Sequence, residues 1–379
     1  MRKALLVSTV SRQFTLFDRD NIRILKELGY EVHCAANFED ATPDLNSLGI
    51  VRHHFDIQRS PYSVKNIKAF FQLLRIMKTE RFDLVHCHAP MGGVLGRLCA
   101  QLTGTRPVLY TAHGFHFYKG APIINNLIYK NIERIAAHWT DCLLAMNRED
   151  YIAAQHFRLR DGGKVYYIPG VGVDTNAINN VQVDRRSKRR ELGIPEDAFL
   201  IISIGELIKR KNHQQAIEAI AKLKQNGYDK IYHVICGRGI LMDELKALSE
   251  NLGVSDRVCF LGYRNDIPEI LKVSDLFVFT SFQEGLPKSV MEAMAAGLPI
   301  VATRIRGNID LIEDGKNGLL VECGDVDSTI KSILELYNNE ELRILMSKNN
   351  LNKIKNYDSE VVREKMDYIY KTVMGSSRK

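Results

Sequence analysis

Glu284 and Glu292 bracket the stretch Gly285-Leu286-Pro287-Lys288, and together these residues could hold an anionic group carrying several hydroxyls. Glu284 falls in a loop after an apolar run, where open α/β sheets bind ligands. Glu292 lies one turn beyond Lys288 and Ser289, on a helix face that looks back toward that loop. The N–H groups of Gly285, Leu286 and Lys288 precede or open the helix, where no intrahelical acceptor exists, so they form an anion site. Carboxylates beside such a site suit hydrogen bonds from sugar hydroxyls. The plainer reading is a solvated loop glutamate and a helix-surface glutamate.

These residues need a rigid frame, and the flanking sequence supplies one. Asp275–Ser281 and Leu298–Thr303 are apolar runs of buried-strand type on either side of the helix, which makes a βαβ unit of a parallel sheet. Pro287 suits the first helical turn. Gly297 and Pro299 supply the stop. Val290, Met294 and Leu298 form the stripe that packs on the sheet.

The run Glu-Gly-Leu-Pro-x-x-x-x-Glu-Ala-Met-Ala-x-Gly-x-Pro-Ile-Val-Ala, beginning at Glu284, resembles the donor-site signature of retaining glycosyltransferases of family four. The resemblance covers nearly the whole chain, most specifically residues 200–322, and extends to enzymes of capsule and exopolysaccharide synthesis. It implies the α/β GT-B fold: two Rossmann-like, doubly wound parallel-sheet domains facing a cleft. The expected boundaries are an acceptor domain over 1–180, a nucleotide-sugar donor domain over 181–357, and a segment 358–379 whose helix crosses back to the first domain before a disordered tail from Ser376.

Alternation of strand-like and helix-like segments through the first half agrees with such a sheet. Predicted strands are Lys3–Val7, Glu31–Ala36, Phe82–His88, Val108–His116, Thr140–Met146 and Val165–Ile168. His86 and His88 share one face of their strand and read as a polar lining rather than a metal site. By the resemblance, His113 in the Thr-x-His segment is the catalytic-cleft residue of the first domain. Where the family often has a Gly-Gly loop, this chain has Ser8 to Phe14. Asp18-Arg19-Asp20 reads as a helix start, where acidic residues favour the dipole. Residues 63–78 are expected to bury Val64, Ile67, Phe70, Phe71, Leu74 and Met77 and to expose Lys65, Lys68, Arg75 and Lys78. The second reading of that helix is contact with anionic lipid.

In the second half, Phe199–Ile204 ends at Gly205, followed by Glu206-Leu207-Ile208-Lys209-Arg210-Lys211. Lys211 matches the family's diphosphate lysine. Glu206 stands where the family has arginine, and Arg210 or Lys209 is expected to replace that charge, with Arg210 preferred. Gly237 and Arg238 form a glycine turn after the next strand, and Tyr263 and Arg264 follow a third, resembling the segment that cradles the nucleobase through main-chain groups. In the implied roles, Lys211 and Arg210 stabilise the leaving diphosphate with the helix start Gly285–Lys288, Glu284 holds the donor sugar, and Glu292 holds the ribose. Arg185-Arg186-Ser187-Lys188-Arg189-Arg190 reads as a solvated charge run opening a helix.

Composition fits. A chain of 379 residues exceeds the usual single-core limit. Its seven scattered cysteines read as buried thiols in a reducing compartment. The start, Met1 to Val10, reads as carrying the first strand rather than a signal peptide, since Ser11-Arg12-Gln13 is no small-residue cleavage site, and no run approaches the ~18 apolar residues of a membrane span. A net charge of +7 favours anionic partners, while no nucleic-acid-binding signature is present. The expectation is a cytoplasmic transferase, peripheral on the inner face of the plasma membrane, that moves a sugar from a UDP-type donor to a glycan or lipid-linked acceptor. No cofactor or metal is expected, since cations and N–H groups already meet the diphosphate. The alternatives are a UDP-sugar 2-epimerase of the same fold and a non-catalytic nucleotide-sugar-binding protein. An NAD-dependent oxidoreductase is disfavoured by the missing G-x-G-x-x-G after the first strand.

Overall fold

The computed structural model describes residues 1–39, 43–88 and 90–376. The chain forms two compact units, Met1–Val171 with Glu360–Lys379, and Gly172–Ser359. Residues 172–180 therefore cluster with the second unit. Both passages of the chain between units are anchored on the second one. Val173 N–H donates to the Tyr357 carbonyl at 3.1 Å, and Ser359 N–H donates to the Val173 carbonyl at 3.0 Å. Gly172 has a φ of +77°, and a Cβ there would meet the Ser359 Cα at 2.8 Å, so this approach requires glycine.

The first unit holds seven parallel strands: β1 (Arg2–Val10), β2 (Tyr30–Asn37), β3 (Val51–His54), β4 (Leu84–His88), β5 (Val108–Ala112), β6 (Cys142–Ala145) and β7 (Lys164–Tyr167). Their spatial order is β3-β2-β1-β4-β5-β6-β7. Strands β4, β5 and β6 are buried throughout, as covering helices on both faces of a parallel sheet require. β3 has no apolar run and lies at the sheet edge, which is why sequence periodicity misses it. β5 ends at Ala112, so His113 and His116 stand in the loop beyond it. The helix Ser359–Ser376 returns to this unit, where the buried Tyr370 hydroxyl lies 2.7 Å from His86 Nδ1. Of the tail expected to be disordered from Ser376, Ser376 instead closes this helix, and 377–379 lie outside the described residues.

The helix Lys65–Glu80 corrects the expected burial. Its buried residues are Asn66, Ala69, Leu73 and Met77. Phe70 and Leu74 pack against the core, whereas Val64, Ile67 and Phe71 are exposed. The buried stripe is rotated around the helix from the one the largest side chains suggest, with Asn66 held inward by accepting from Gln58 N–H at 2.8 Å and donating to the Ser60 carbonyl at 2.9 Å.

The second unit holds six parallel strands: β8 (Phe199–Ile204), β9 (Ile231–Cys236), β10 (Val258–Gly262), β11 (Leu276–Phe279), β12 (Ile300–Thr303) and β13 (Leu319–Val321). The order is β10-β9-β8-β11-β12-β13, the doubly wound arrangement whose direction reverses between β8 and β11. The charge run at 185–190 is not simply solvated. Arg189 is buried and donates to the carbonyls of Val273, Glu196 and Ala198 and to Asp275. Lys188 is buried among Asp266, Glu191 and Glu269. Six of the seven cysteines are buried or half-buried, but Cys323 is exposed; Cys323 lies beyond β13 rather than inside a strand.

Candidate functional site

In the second unit, β8 and β11 are neighbours, with Ile201 paired to Leu276 and Ile202 to Phe277. Their connections leave toward opposite faces of the sheet, so the loops beyond their carboxyl ends diverge and leave a crevice. The β8 loop carries Lys209–Lys211 as a short 3-10 turn. Asn212 follows with a φ of +49° and opens the helix His213–Gln225. Asparagine tolerates this left-handed conformation better than bulkier residues, and the reversal turns Arg210 and Lys211 toward β11. Two hydrogen bonds join the loops: Phe282 N–H to the Arg210 carbonyl at 2.9 Å, and Thr280 Oγ1 to the Asn212 carbonyl at 2.7 Å.

Across this joint the charged residues meet. Lys211 Nζ donates to Glu284 Oε1 at 2.7 Å. Arg210 Nη1 donates to the same oxygen at 3.1 Å and to the Gln283 carbonyl at 2.8 Å. Glu284 and Lys211 are largely buried while Arg210 is exposed. Lys211 Nζ also stands 5.0 Å from the Phe279 ring centroid, within cation–π range. Arg306 Nε donates to the Glu284 carbonyl at 3.2 Å and so supports the loop from the β12 side.

Glycine makes the close approaches possible. A Cβ on Gly205 would touch the Lys211 side chain at 3.4 Å, and one on Gly237 would lie 1.9 Å from the Gly205 carbonyl oxygen. A Cβ on Gly307 would lie 2.3 Å from the Gly285 carbonyl oxygen. The turns after β8 and β9 are therefore in backbone contact, as are those after β11 and β12.

The helix Lys288–Ala295 starts one residue later than its sequence suggests: Pro287 is the N-cap, with φ −76° and ψ 118°. Proline fits there because its φ is preset and no N–H is left over. Glu292 Oε1 is 3.7 Å from Lys288 Nζ. Burial raises the Glu292 carboxyl above its ordinary range, and Lys288 partly offsets this. Farther along the same edge, the Arg238 guanidinium stands 5.8 Å from the exposed Tyr263 ring. Arg264 is spoken for, with hydrogen bonds to Asp266 at 2.7 and 2.5 Å and to Glu191 at 2.8 Å. Only its main chain is left for a ligand.

His113 belongs to the first unit, beyond β5, and gathers partners that the sequence did not tie to it. Gln13, from the segment after β1, donates from its amide nitrogen to Asp18 Oδ2 at 3.1 Å and lies 3.2 Å from His113 Nε2. His88, the last residue of β4, brings Nδ1 within 3.3 Å of the same His113 nitrogen. Its Nε2 lies 3.5 Å from Asp18 Oδ1. Both contacts fit a neutral His113 whose Nε2 accepts. Burial pushes His113 down to about 4, with the neighbouring His88 acting in the same direction and Asp18 opposing. Burial alone pushes His88 to about 3, and burial raises Asp18 to about 6. The helix-start reading of Asp18 is right in place, since the helix Arg19–Glu27 follows it. It misses that the carboxyl is buried and bonded to Gln13 and Asn21. The available signal was topological: β1, β4 and β5 are adjacent, so whatever follows them converges. Among the described residues, no group of His, Cys, Asp or Glu is arranged to hold a metal ion.

Comparison with known proteins identifies the family of both halves of the chain. The family described as Glycosyl transferases group 1 matches residues 184–353, and the one described as Glycosyl transferase 4-like matches residues 3–147. EpsD of Bacillus subtilis (strain 168) is 39% identical over 345 residues, covering 90% of this chain and 89% of that protein. The UDP-Gal:alpha-D-GlcNAc-diphosphoundecaprenol alpha-1,3-galactosyltransferase of Escherichia coli is 36% identical, covering 77% of this chain and 76% of that protein. Among solved structures, Anabaena HepE in complex with UDP aligns with a TM-score of 0.78 at 20% identity, covering 98% of this chain and 100% of that one. With both halves matched and two relatives above 30% identity across most of its length, the chain belongs to the group 1, family-four-like glycosyltransferases with the GT-B fold.

Proposed function

We propose that this glycosyltransferase moves a hexosyl or N-acetylhexosaminyl group from a UDP-sugar to a glycan or lipid-linked acceptor, with retention of anomeric configuration, in capsule or exopolysaccharide assembly. The observation that carries the reading is the sharing of one Glu284 oxygen by Lys211 and Arg210 beside the helix start at Lys288. A bound diphosphate would draw the two cations to its oxygens and leave Glu284 to accept from a sugar hydroxyl. Lys211 and Arg210 then stabilise charge developing on the leaving phosphate, an effect worth on the order of 10²–10³ in rate per donor. Glu292 takes the ribose hydroxyls, and the Arg238–Tyr263 edge with the main chain at Arg264 receives the base. His113, held neutral, faces the transferred sugar.

Front-face displacement is the mechanism in this proposal: the leaving phosphate accepts the acceptor's proton as the acceptor oxygen attacks from the same side. The diphosphate charge is met by side chains and N–H groups, so a chelator should leave the rate unchanged. Support for a lipid-linked acceptor comes from the Escherichia coli relative, whose name specifies a diphosphoundecaprenol substrate. Such an acceptor would place the enzyme peripherally on the inner face of the plasma membrane.

The test is nucleotide release from a panel of UDP- and GDP-sugars, with and without membrane-extracted acceptors, followed by NMR of the product's anomeric centre. Acceptor-dependent UDP release with retained configuration is expected. Binding across the panel without any release would overturn the proposal.

A further inference from the structure

Gln13, Asp18 and His88 are buried around His113, and the transfer chemistry gives them no part. Asp18 and His88 are each 1% exposed. Four contacts tie the group together. Gln13 Nε2 donates to Asp18 Oδ2 at 3.1 Å and lies 3.2 Å from His113 Nε2. His88 places Nδ1 3.3 Å from that same His113 nitrogen and Nε2 3.5 Å from Asp18 Oδ1. Asn21 also donates to Asp18 Oδ1, at 2.8 Å. The His113 ring nitrogen outside these contacts is Nδ1.

With the Gln13 amide oriented as it stands, these contacts admit few hydrogen placements. The amide nitrogen has one hydrogen for Asp18 and one for His113, so His113 Nε2 accepts and its ring carries hydrogen on Nδ1. His88 Nδ1 faces that acceptor and must bear a hydrogen. The contact of His88 Nε2 with Asp18 Oδ1 then needs one more proton, on the imidazole or on the carboxyl. Burial of both groups favours the neutral arrangement, a carboxylic acid facing a bare Nε2, over an ion pair. In keeping with this, burial raises Asp18 to about 6 and lowers His88 to about 3. Around them, burial holds Cys34 of β2 and Tyr370 of the helix Ser359–Ser376 in their protonated forms. His86, bonded to Tyr370 and Thr111, is held neutral. Asp20 and Arg363, one charge of each sign, line the cavity beside Asp18 and His88.

We infer that Asp18 and His88 hold one proton between them and through it keep His113 in the tautomer with hydrogen on Nδ1, which makes Asp18 a positioning residue for the histidine that faces the transferred sugar. The inference rests on that proposed placing of His113. With the proton present, His113 Nδ1 offers a hydrogen to a sugar oxygen. Without it, His88 has one hydrogen for two acceptors, and the ionised carboxylate takes it, because charge-assisted hydrogen bonds are the stronger. Each hydrogen then moves one place: from Asp18 to His88 Nε2, from His88 Nδ1 to His113 Nε2, and from His113 Nδ1 to solvent. His113 Nδ1 becomes an acceptor, and the same sugar oxygen loses its donor.

The experiment is nitrogen-15 NMR of the full chain labelled in its imidazoles, titrated from pH 5.5 to 8.5 without a sugar donor, with His113→Gln assigning the signals. Wild-type His113 should carry hydrogen on Nδ1 at pH 5.5 and shift toward Nε2 as pH rises past about 6. Asp18→Asn, whose amide can donate to His88 without an added proton, should hold the Nδ1 tautomer across the range. In transfer assays wild-type kcat should fall through the same midpoint, by up to about tenfold per pH unit, with donor KM unchanged, and Asp18→Asn should lose that limb. The inference is overturned if wild-type His113 carries hydrogen on Nε2 at pH 5.5, if its tautomer ignores pH over this range, or if Asp18→Asn titrates as wild type does. Should Asp18→Asn fail to fold, the wild-type titration decides alone. The expected titration in a protein that transfers no sugar would support this inference and overturn the proposed function instead.

Discussion

Lys211 Nζ and Glu284 Oε1 are 2.7 Å apart, although their residues lie on loops that follow different strands of the sheet. Arg210 adds a second cation to the same oxygen. The carboxylate therefore occupies, from within the chain, the place where a ligand phosphate is proposed to sit. In the proposed function any bare anion would compete with it, whereas a nucleotide sugar would also offer hydroxyls to the displaced carboxylate.

Glu284→Gln tests this exchange. Releasing the cations should leave UDP affinity unchanged or tighter, while sugar transfer falls by about 10²-fold. Calorimetric titration with UDP beside a steady-state assay reads both. Weaker UDP binding in this variant would contradict the exchange.

Lys211→Ala removes the better-buried cation. Transfer should fall on the order of 10²–10³, and UDP should bind more weakly. Arg210→Ala should have a smaller effect, because its side chain is far more exposed than that of Lys211. Single-turnover rates at saturating donor separate these effects from binding.

Glu292→Gln should weaken UDP by roughly tenfold or more, the loss of a charged hydrogen-bond acceptor. Its effect on the unliganded protein runs the other way. Burial raises the wild-type carboxyl above its ordinary 4.5, so its contribution is favourable below pH 4.5 and is lost as pH rises through the folded value. The variant should melt at a higher temperature than wild type at pH 7.5, with the gap closing toward pH 4.5.

Buried histidines set the acid limb of stability. Burial holds His88 and His233 at about 3 and His213 and His113 at about 4, against an ordinary 6.5. Below pH 6.5 the unfolded chain takes up protons that the folded chain refuses. Stability is therefore full above pH 6.5 and falls as pH drops toward the folded values, by up to about 1.4 kcal/mol per unit per group. Asp18, raised to about 6 from 3.8, opposes this: its contribution is present below 3.8 and lost as pH rises through 6. Glu292 acts in the same sense as Asp18, and the four histidines outweigh these two carboxyls to leave a net fall. Melting temperatures at pH 7.5, 6 and 5 should decrease in that order, and His233→Gln should flatten the slope.

Gly237→Ala should cost about 3 kcal/mol or more, because its Cβ would lie 1.9 Å from a carbonyl oxygen that cannot move without shifting β8. Gly205→Ala, whose nearest contact is a flexible lysine chain at 3.4 Å, should cost about 1 kcal/mol or less. Urea titrations of the two variants give the comparison.

Most of the donor-side site was legible because its chemistry sits in contiguous motifs. Glu284 and the helix start could be located from glycine, proline and apolar runs and Lys211 from the family resemblance, and the β8–β11 adjacency of a doubly wound sheet brings them together. The histidine cluster was only half legible. His88 ends β4 and His113 directly follows β5, but Gln13 and Asp18 sit in a one-turn helix and at a helix start, where their residue types have ordinary explanations. β3 escaped because an exposed edge strand needs no apolar periodicity. The roll of Lys65–Glu80 is not legible because hydrophobicity there does not track burial: Val64, Ile67 and Phe71 face outward while Asn66 is buried. Buried Arg189 shows the converse: a basic run can hide one member when backbone carbonyls converge on it.

The helix Ile123–Ala137 shows the same outward greasiness, and its cause lies deeper in the first unit. Arg97 is fully buried, stacks 3.8 Å from the Tyr110 ring centroid and pairs with Glu133 at 2.8 Å. Gly93 leaves room for the tyrosine, since a Cβ there would strike its ring at 2.4 Å. Left to itself, the helix Ile123–Ala137 would rotate its isoleucines inward and its glutamate outward. The Glu133–Arg97 pair acts as a detent against that rotation, because breaking it would strand a buried charge at a cost of about 3–5 kcal/mol. The protein thus keeps an oily surface displayed by locking a charge inside.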